Sequence, residues 1–259
     1  MRASLLGFVV LVATGAPSAA ATRQPAFDES ELVSGAALAF APRELPIIIP
    51  SPDETFALDA DMEAFIAPLK EVRDPRQRMQ ALIQALEARG MFSLEYAEVT
   101  RTARGTFHDR QGNCLSFTML FVSLARAVGL QASYQSVVVP PTWSNDGQVV
   151  VASHVNTAVR TGRGEETIVD FNIRPYQSEH RSRRVNDSYA LALFYTNLGA
   201  EPMLRDDHAA ALAYLREAAR VRPDIAGVWV NLGVLYARHG RYEHAEAAYL
   251  RALGVDDDE

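Results

Sequence analysis

A 34-residue period in the last quarter of the chain is the feature that most restricts what this sequence can fold into. Aromatic, leucine, glycine and alanine positions recur there at one spacing in two successive copies. The second copy contains Trp229, Leu232, Gly233, Tyr236, Ala245, Tyr249 and Ala252, and the first contains Tyr195, Leu198, Gly199, Ala211, Leu215, Ala218 and Pro223. A period of this length indicates helix pairs that must stack to bury a continuous core.

The two copies resemble tetratricopeptide repeats, at about residues 192–225 and 226–259. They depart from that pattern at Pro202, which stands where the second copy has Tyr236, and at Asp257, which stands where the first has Pro223. The resemblance implies an all-α array with a concave surface that commonly holds a peptide or protein partner. Two repeats rarely stand alone, so we expect this pair to pack on the rest of the chain or on a second chain.

The first residues have the pattern of a signal peptide. Arg2 is followed by the apolar run Leu5–Ala13 and by small residues that end at Ala21, which predicts cleavage before Thr22. The apolar run is too short to span a bilayer comfortably, and the alternative is an uncleaved N-terminal anchor. We therefore expect residues 1–21 to be removed and the mature chain to be periplasmic or secreted, with no membrane span.

Residues 22–54 are rich in alanine, proline and acidic residues, and they lack the helical patterning that begins after them. The prolines that flank the apolar strip Pro46–Pro50 favour an extended backbone. We expect an extended strap or linker that docks onto the core, then one domain at 55–187 and the repeats at 188–259.

The charge of the chain bears on its partners. A formal net charge of −7 argues against a nucleic-acid surface, which needs a basic patch. One local basic cluster, Arg181-Ser182-Arg183-Arg184, lies between the two predicted domains, and we interpret it as a solvated linker.

Cys114 is the only cysteine of the chain. In an exported protein an unpaired cysteine is a hazard unless it is buried or used, so the alternatives are a small core residue and a reactive thiol. Cys114 opens an apolar helix that runs to about Val128 and stops at Gly129. Because apolar residues cover most of its circumference, we expect the helix at a domain centre, with its first turn at a cleft.

Two alternating segments around a glycine-rich turn predict an antiparallel hairpin, with His154 in the first and Asp170 in the second. If the hairpin is centred near Gly162, His154 faces Asp170 directly. If the centre lies at Arg163, the two are diagonal neighbours on one face. Either register leaves the imidazole and the carboxylate within reach of each other.

A thiol at a helix start, a histidine and a carboxylate are the parts of a nucleophile, base and orienter system. The helix dipole and a nearby imidazolium favour the thiolate of Cys114, and Asp170 would hold the ring of His154 in one orientation. The backbone N–H of Cys114 is the natural first donor to an oxyanion, and Gln111 is a candidate for the second.

Gly112-Asn113-Cys114 at the start of an apolar helix that ends Leu124–Leu130, together with His154 and Val169-Asp170, resembles the transglutaminase-like superfamily over about 55–180. The resemblance implies an α+β, papain-like core, with the cysteine helix packed on an antiparallel sheet and Cys-His-Asp chemistry on peptide or amide bonds. Leu115 stands where many transglutaminases carry tryptophan, and no acidic calcium-loop pattern is visible. Both departures favour a bacterial-type hydrolase or a binding relative over calcium-dependent cross-linking.

Two functions are consistent with these features. The first is an exported peptidase, amidase or acyltransferase whose repeats dock a protein or peptide. The second is a non-catalytic interaction scaffold that retains an enzyme-like core. The substrate stays open, since peptides, isopeptides, peptidoglycan cross-links and amide metabolites all fit such a site.

Other candidate groups carry less weight. His108 and Asp109 lie on an unpatterned stretch, and we expect them to be surface residues on a loop. The remaining histidines, at 180, 208, 239 and 244, lack metal-ligand spacing, and no phosphate-binding glycine loop is visible. We therefore expect neither a metal nor a cofactor.

Overall fold

The computed structural model of the chain describes residues 8–10, 26–40, 46–90, 99–138, 142–143, 149–151, 153–162, 164–171 and 182–255. A 3₁₀ helix at Ala67–Glu71 follows the third α-helix. In chain order the elements are β1 (Phe8–Val10), α1 (Glu29–Ser34), α2 (Pro52–Phe56), α3 (Ala60–Ile66), α4 (Pro75–Ala88), α5 (Ala103–Asp109), α6 (Cys114–Ala127), β2 (Gln131–Val138), β3 (Thr142–Trp143), β4 (Val149–Val151), β5 (Ser153–Arg160), β6 (Glu166–Val169), β7 (Ser182–Val185), α7 (Asp187–Met203), α8 (His208–Val221), α9 (Ala226–Arg238) and α10 (Tyr242–Gly254).

The chain divides into two compact units. The first contains Met1–Leu11 and Pro50–Ala190, and the second contains Val12–Ile49 and Leu191–Glu259. The first is α+β and the second is helical, in agreement with the expected fold class. In the described parts of the chain, no helix combines the length and the apolar character needed to cross a membrane. Most of the predicted signal peptide lies outside the described residues, so that prediction is not tested by the structure.

The first unit is built on a four-stranded antiparallel sheet in the order β6-β5-β2-β7. The helix α6 packs on its two central strands, β5 and β2. Leu120, Phe121 and Leu124 of this helix are fully buried, as the apolar pattern around its circumference predicted. A second antiparallel sheet has the order β1-β4-β3.

Local signals explain where the helices of the first unit begin. Asp74 accepts a hydrogen bond from the backbone N–H of Gln77, and Pro75 occupies the first position of α4. Asp59 accepts from the N–H of Met62 and caps the start of α3. These short-range contacts satisfy N–H groups that have no acceptor within the helix.

Two predictions about loops need correction. Ser182–Val185 forms the edge strand β7 and pairs with β2, where the sequence suggested a solvated linker. Arginine suits an edge strand, because its charge stays in water while Val185 is buried. His108 and Asp109 belong to the helix α5 and not to a loop, since Thr102 caps the first turn.

The repeat helices α7 to α10 form two helix pairs with equivalent packing. A Cβ added at Gly233 would lie 2.6 Å from Cδ1 of Tyr249, and one added at Gly199 would lie 2.8 Å from Cγ of Leu215. Both glycines and both partners are 34 residues apart. The periodic glycines therefore allow the two helices of each pair to approach closely.

Residues 22–54 were expected to form an extended strap; the structure describes 26–40 and 46–54 of them and corrects this in part, since α2 begins at Pro52. Asp28 caps the short helix α1 by accepting from the N–H of Glu31, and Leu32 is buried. The part before Pro50 packs within the helical unit, where side chains of the repeat region donate to its backbone. These hydrogen bonds run from Tyr214 to the carbonyl of Ile48, from Arg216 to Val33, from Tyr236 to Leu32 and from Arg241 to Ala37.

Candidate functional site

The helix that carries Cys114 begins with a buried cap. The side-chain oxygen of Asn113 accepts from the backbone N–H of Ser116 and from its hydroxyl, both at 2.9 Å. The amide nitrogen of Asn113 donates to the hydroxyl of Thr100 at 2.8 Å. Asparagine is a favoured cap because its oxygen satisfies an N–H of the first turn. The cap therefore fixes the first turn of α6, where Cys114 lies.

A neighbouring segment is bound to this cap through the backbone. The N–H of Asn113 donates to the carbonyl of Val99, and the N–H of Arg101 donates to the hydroxyl of Ser116. Gly112 is needed at the turn into the helix, since an added Cβ would lie only 2.7 Å from Cβ of Ser116. In the Gly-Asn-Cys sequence, the glycine is thus required by the close approach of Ser116, and the asparagine caps the helix.

Cys114 is the first residue of the 14-residue helix α6 and is partly exposed. The first N–H groups of a helix have no acceptor within it, and the helix dipole places partial positive charge there. The sulfur is therefore both accessible and close to groups that stabilise an anion.

His154 is carried by β5, one of the central strands, and is only 6% exposed. Its strand is bound to α6, because the hydroxyl of Thr118 donates to the backbone carbonyl of Val155 at 3.1 Å. Thr118 lies one helical turn after Cys114, and Val155 follows His154. The helix and the strand that carry the two groups are thus held against each other.

The hairpin of β5 and β6 has the second of the two registers that the sequence allowed. Thr157 pairs with Val169, so one further step of the ladder brings Asn156 opposite Asp170. His154 is then a diagonal neighbour of Asp170 on the same face, the arrangement expected for a hairpin centred on position 163. Nε2 of His154 lies 2.8 Å from each carboxylate oxygen of Asp170.

The charges around His154 favour its protonated form. Burial lowers the pKa of this imidazole, but hydrogen bonds to Asp170 and to Cys114, with the negative charge of both, outweigh it and raise the pKa to about 9. Since Asp170 takes Nε2, the ring nitrogen left for the sulfur is Nδ1. The structure thus places the carboxylate of Asp170 against the ring of His154, and the side chain of Cys114 is close enough to that ring to contribute to its raised pKa.

The oxyanion donors are defined less fully. The backbone N–H of Cys114 belongs to the first helical residue, as expected for a donor that the helix leaves unused. Gln111 is exposed and lies three residues before the cysteine, between α5 and α6. No described contact assigns it a partner, so its role as second donor stays a prediction.

Sequence reasoning overlooked Asn156. Its amide nitrogen donates to Oδ2 of Asp170 at 3.1 Å, and the residue is fully buried. The signal was available, because Asn156 lies two residues after His154 and therefore on the same face of an alternating strand. A buried amide at such a position requires a polar partner.

A second histidine and carboxylate pair lies outside this site. His108 contacts Asp59 at 2.6 Å, and Asp61 completes a group whose possible metal-ligand atoms lie within 4.8 Å of one another. His108 and Asp61 are exposed, and Asp59 already caps α3. Ordinary capping and ion pairing account for these contacts, and we assign no metal-binding role to them.

Comparison with known families identifies two segments of the chain. Residues 63–167 match the model of the transglutaminase-like superfamily, and residues 226–258 match that of the tetratricopeptide repeat. No curated protein and no solved structure gives a significant match. Both resemblances inferred from the sequence are therefore confirmed, the second for one of the two predicted repeats. A tetratricopeptide repeat supports interaction with another protein.

Proposed function

We propose that this chain, which carries a transglutaminase-like domain followed by a tetratricopeptide repeat, is an exported thiol enzyme acting on peptide or amide bonds. It would be a peptidase, an amidase or an acyltransferase. Cys114 is the nucleophile, His154 the general base and acid, and Asp170 the group that orients the imidazole. The repeats recruit the protein or peptide that is the substrate or a partner.

One observation carries this proposal. Nε2 of His154 lies 2.8 Å from the carboxylate of Asp170, and the side chain of the only cysteine is near enough to the same ring to raise its pKa. Such an arrangement transfers the thiol proton to the ring and leaves a thiolate beside an imidazolium. A core cysteine without a chemical role needs neither a buried histidine nor a carboxylate behind it.

The reaction can be derived from these positions. The sulfur of Cys114 attacks the carbonyl carbon, and the electrons of the C=O bond move to the oxygen, which accepts from the backbone N–H of Cys114. As the C–N bond breaks, the ring of His154 gives its proton to the departing amine and a thioester remains. Water or a second amine then attacks the thioester, His154 takes the proton, and the C–S bond breaks to restore the thiolate.

Two features of the sequence support export: the signal-peptide pattern of the first 21 residues and the presence of a single cysteine. A signal-peptide pattern ending at Ala21 predicts passage to an oxidising compartment. A chain with one cysteine has no internal disulfide partner there, and a thiol kept in a catalytic site has a reason to persist.

A labelling experiment tests the activated thiol. The protein from residue 22 onward is treated with an iodoacetamide probe between pH 6 and 8. The variants His154→Ala and His108→Ala are treated in the same way. His108 supplies a matched control, as an exposed histidine that also contacts a carboxylate. We expect rapid labelling of wild type and His108→Ala, and labelling slower by about one to two orders of magnitude in His154→Ala, because an unassisted thiol is almost wholly protonated at pH 6. An inert wild-type thiol would overturn the proposal.

The second candidate is a non-catalytic scaffold, favoured by the repeats and by Leu115 where many transglutaminases have tryptophan. It predicts that Cys114→Ser fully restores the wild-type phenotype to a strain that lacks the protein. The enzyme hypothesis predicts that this variant restores nothing while folding normally.

A further inference from the structure

We propose that Asn156 is a positioning residue that holds the carboxylate of Asp170 in the orientation that binds the imidazole of His154. This inference rests on the proposed thiol chemistry and adds a fourth residue to the site. Asn156 acts through Asp170 and need not touch a substrate.

The geometry places Asn156 between the two groups. It lies two residues after His154 on one face of β5, and the continued ladder brings it opposite Asp170. Its Nδ2 donates to Oδ2 of Asp170 at 3.1 Å, while Nε2 of His154 lies 2.8 Å from both carboxylate oxygens. Two donors from the same strand therefore bind one carboxylate and define its plane.

The place of Asp170 in the sheet makes the contact with Asn156 useful. The strand β6 ends at Val169, so Asp170 comes directly after the last residue that the ladder with β5 includes. The amide of Asn156, on the neighbouring central strand, adds a restraint on the direction of its carboxylate.

Burial shows that Asn156 is not at this position for stability alone. The residue is fully buried, and within the described residues its Oδ1 has no hydrogen-bond partner. Leaving a buried acceptor unpaired costs stability, and an apolar side chain of the same size would avoid that cost. The single hydrogen bond that the Asn156 side chain makes among those residues goes to the carboxylate of the candidate site, which gives the residue a chemical reason.

The orientation of the Asp170 carboxylate affects the interaction between His154 and the sulfur of Cys114. A carboxylate that turns away from Nε2 stabilises the imidazolium less and leaves the ring free to rotate from Cys114. Removal of the Asn156 amide should therefore lower the pKa of His154 from its value of about 9 and weaken the thiolate–imidazolium pair.

The test is the pH profile of Cys114 alkylation by chloroacetate, whose negative charge is attracted by the imidazolium. The rate should fall at high pH as His154 loses its proton. We compare wild type with Asn156→Leu, which is similar in size and lacks the amide, and with Asn156→Gln, which keeps it. The matched control is Thr157→Val, since Thr157 is buried on the opposite face of the strand and its hydroxyl has no partner in the described structure.

We call the fall in rate at high pH the high-pH limb. In Asn156→Leu we expect this limb to occur about one pH unit lower than in wild type, and alkylation at pH 7 to be about three- to tenfold slower. The midpoint of thermal unfolding should be equal to that of wild type or higher. Asn156→Gln should recover part of the shift, and Thr157→Val should match wild type. If Asn156→Leu is too unstable to assay, Asn156→Ala is used under the same criteria.

The outcomes separate this inference from the proposed function. A wild-type thiol without a high-pH limb overturns both. If the alkylation rate of Asn156→Leu falls at the same pH as that of wild type, the positioning role is overturned and the thiol chemistry still holds. An equal shift in Thr157→Val would show a general effect of altering the strand and would also overturn the positioning role.

Discussion

The hydroxyl of Thr118 donates a hydrogen bond to the backbone carbonyl of Val155 at 3.1 Å, and Thr118 is fully buried. This contact joins two segments that are 37 residues apart in the chain. Thr118 lies one turn beyond Cys114, and Val155 adjoins His154, so the contact holds the helix that carries the sulfur against the strand that carries the ring. The candidate site thus depends on a residue that has no part in its chemistry.

Thr118→Val should loosen that connection. The variant leaves the carbonyl of Val155 without this donor, and we expect a loss of about 1–2 kcal/mol in the free energy of unfolding. We also expect Cys114 alkylation at pH 7 to slow a few-fold. Urea unfolding and alkylation kinetics check both results. Ser123→Ala, on the same helix and partly exposed, is the control and should change neither.

Asn113→Ala should affect both stability and reactivity. Loss of the cap should cost about 1–2 kcal/mol, and the first turn that carries Cys114 should fray. Asp74→Ala removes the exposed cap of α4 and supplies the comparison. Thermal unfolding should show a loss in both variants, with slower alkylation in Asn113→Ala only. Equal alkylation rates in the two variants would contradict a link between the cap and the thiol.

The stability of the first unit should depend on pH through His154. Its folded-state pKa of about 9 lies above the ordinary value of 6.5, so the folded protein binds this proton more tightly than the unfolded chain. The stabilisation is complete below about pH 6.5 and is lost as the pH rises through about 9. Its size is on the order of 3 kcal/mol. Urea unfolding from pH 6 to 9.5 gives the free energy of unfolding of wild type and of His154→Gln at each pH, and the difference between them measures this stabilisation. If the two free energies change in parallel with pH, the prediction is refuted.

Gly233→Ala should destabilise the helical unit. The added methyl group would lie 2.6–2.8 Å from the Cδ1 and Cζ atoms of Tyr249, so the helices of the pair must separate. Overpacking of this kind costs about 1–3 kcal/mol. Gly254→Ala is the matched control, because a Cβ there meets open space. Differential scanning calorimetry should show a lower transition temperature for Gly233→Ala and an unchanged or slightly higher one for Gly254→Ala.

Much of the candidate site was predictable from local patterns. Gly112 and Asn113 lie directly before an apolar helix whose start at Cys114 was predicted, and the cap and the close approach that the structure shows there depend on nearest neighbours in sequence. The alternating segments around the glycine-rich turn placed His154 and Asp170 on one face. Such inferences succeed because capping and side-chain alternation involve only residues a few positions apart.

The choice between registers was not predictable in the same way. Centres at positions 162 and 163 both leave the imidazole and carboxylate in reach, and the pairing of Thr157 with Val169 selects the second. Asn156 becomes the direct neighbour of Asp170 only in that register. Its part in the site was therefore hidden until the ladder was known.

The sequence by itself determined the helix that begins at Cys114, the hairpin that carries His154 and Asp170, and the 34-residue period of the helix pairs. These features depend on short-range periodicity and steric rules. Only the tertiary structure decided the pairing register, the packing of the segment before Pro50 within the helical unit, and the approach of α6 to β5. The reason is that each of these depends on contacts between residues far apart in the chain, whose packing and hydrogen bonds decide among arrangements that local preferences leave equal.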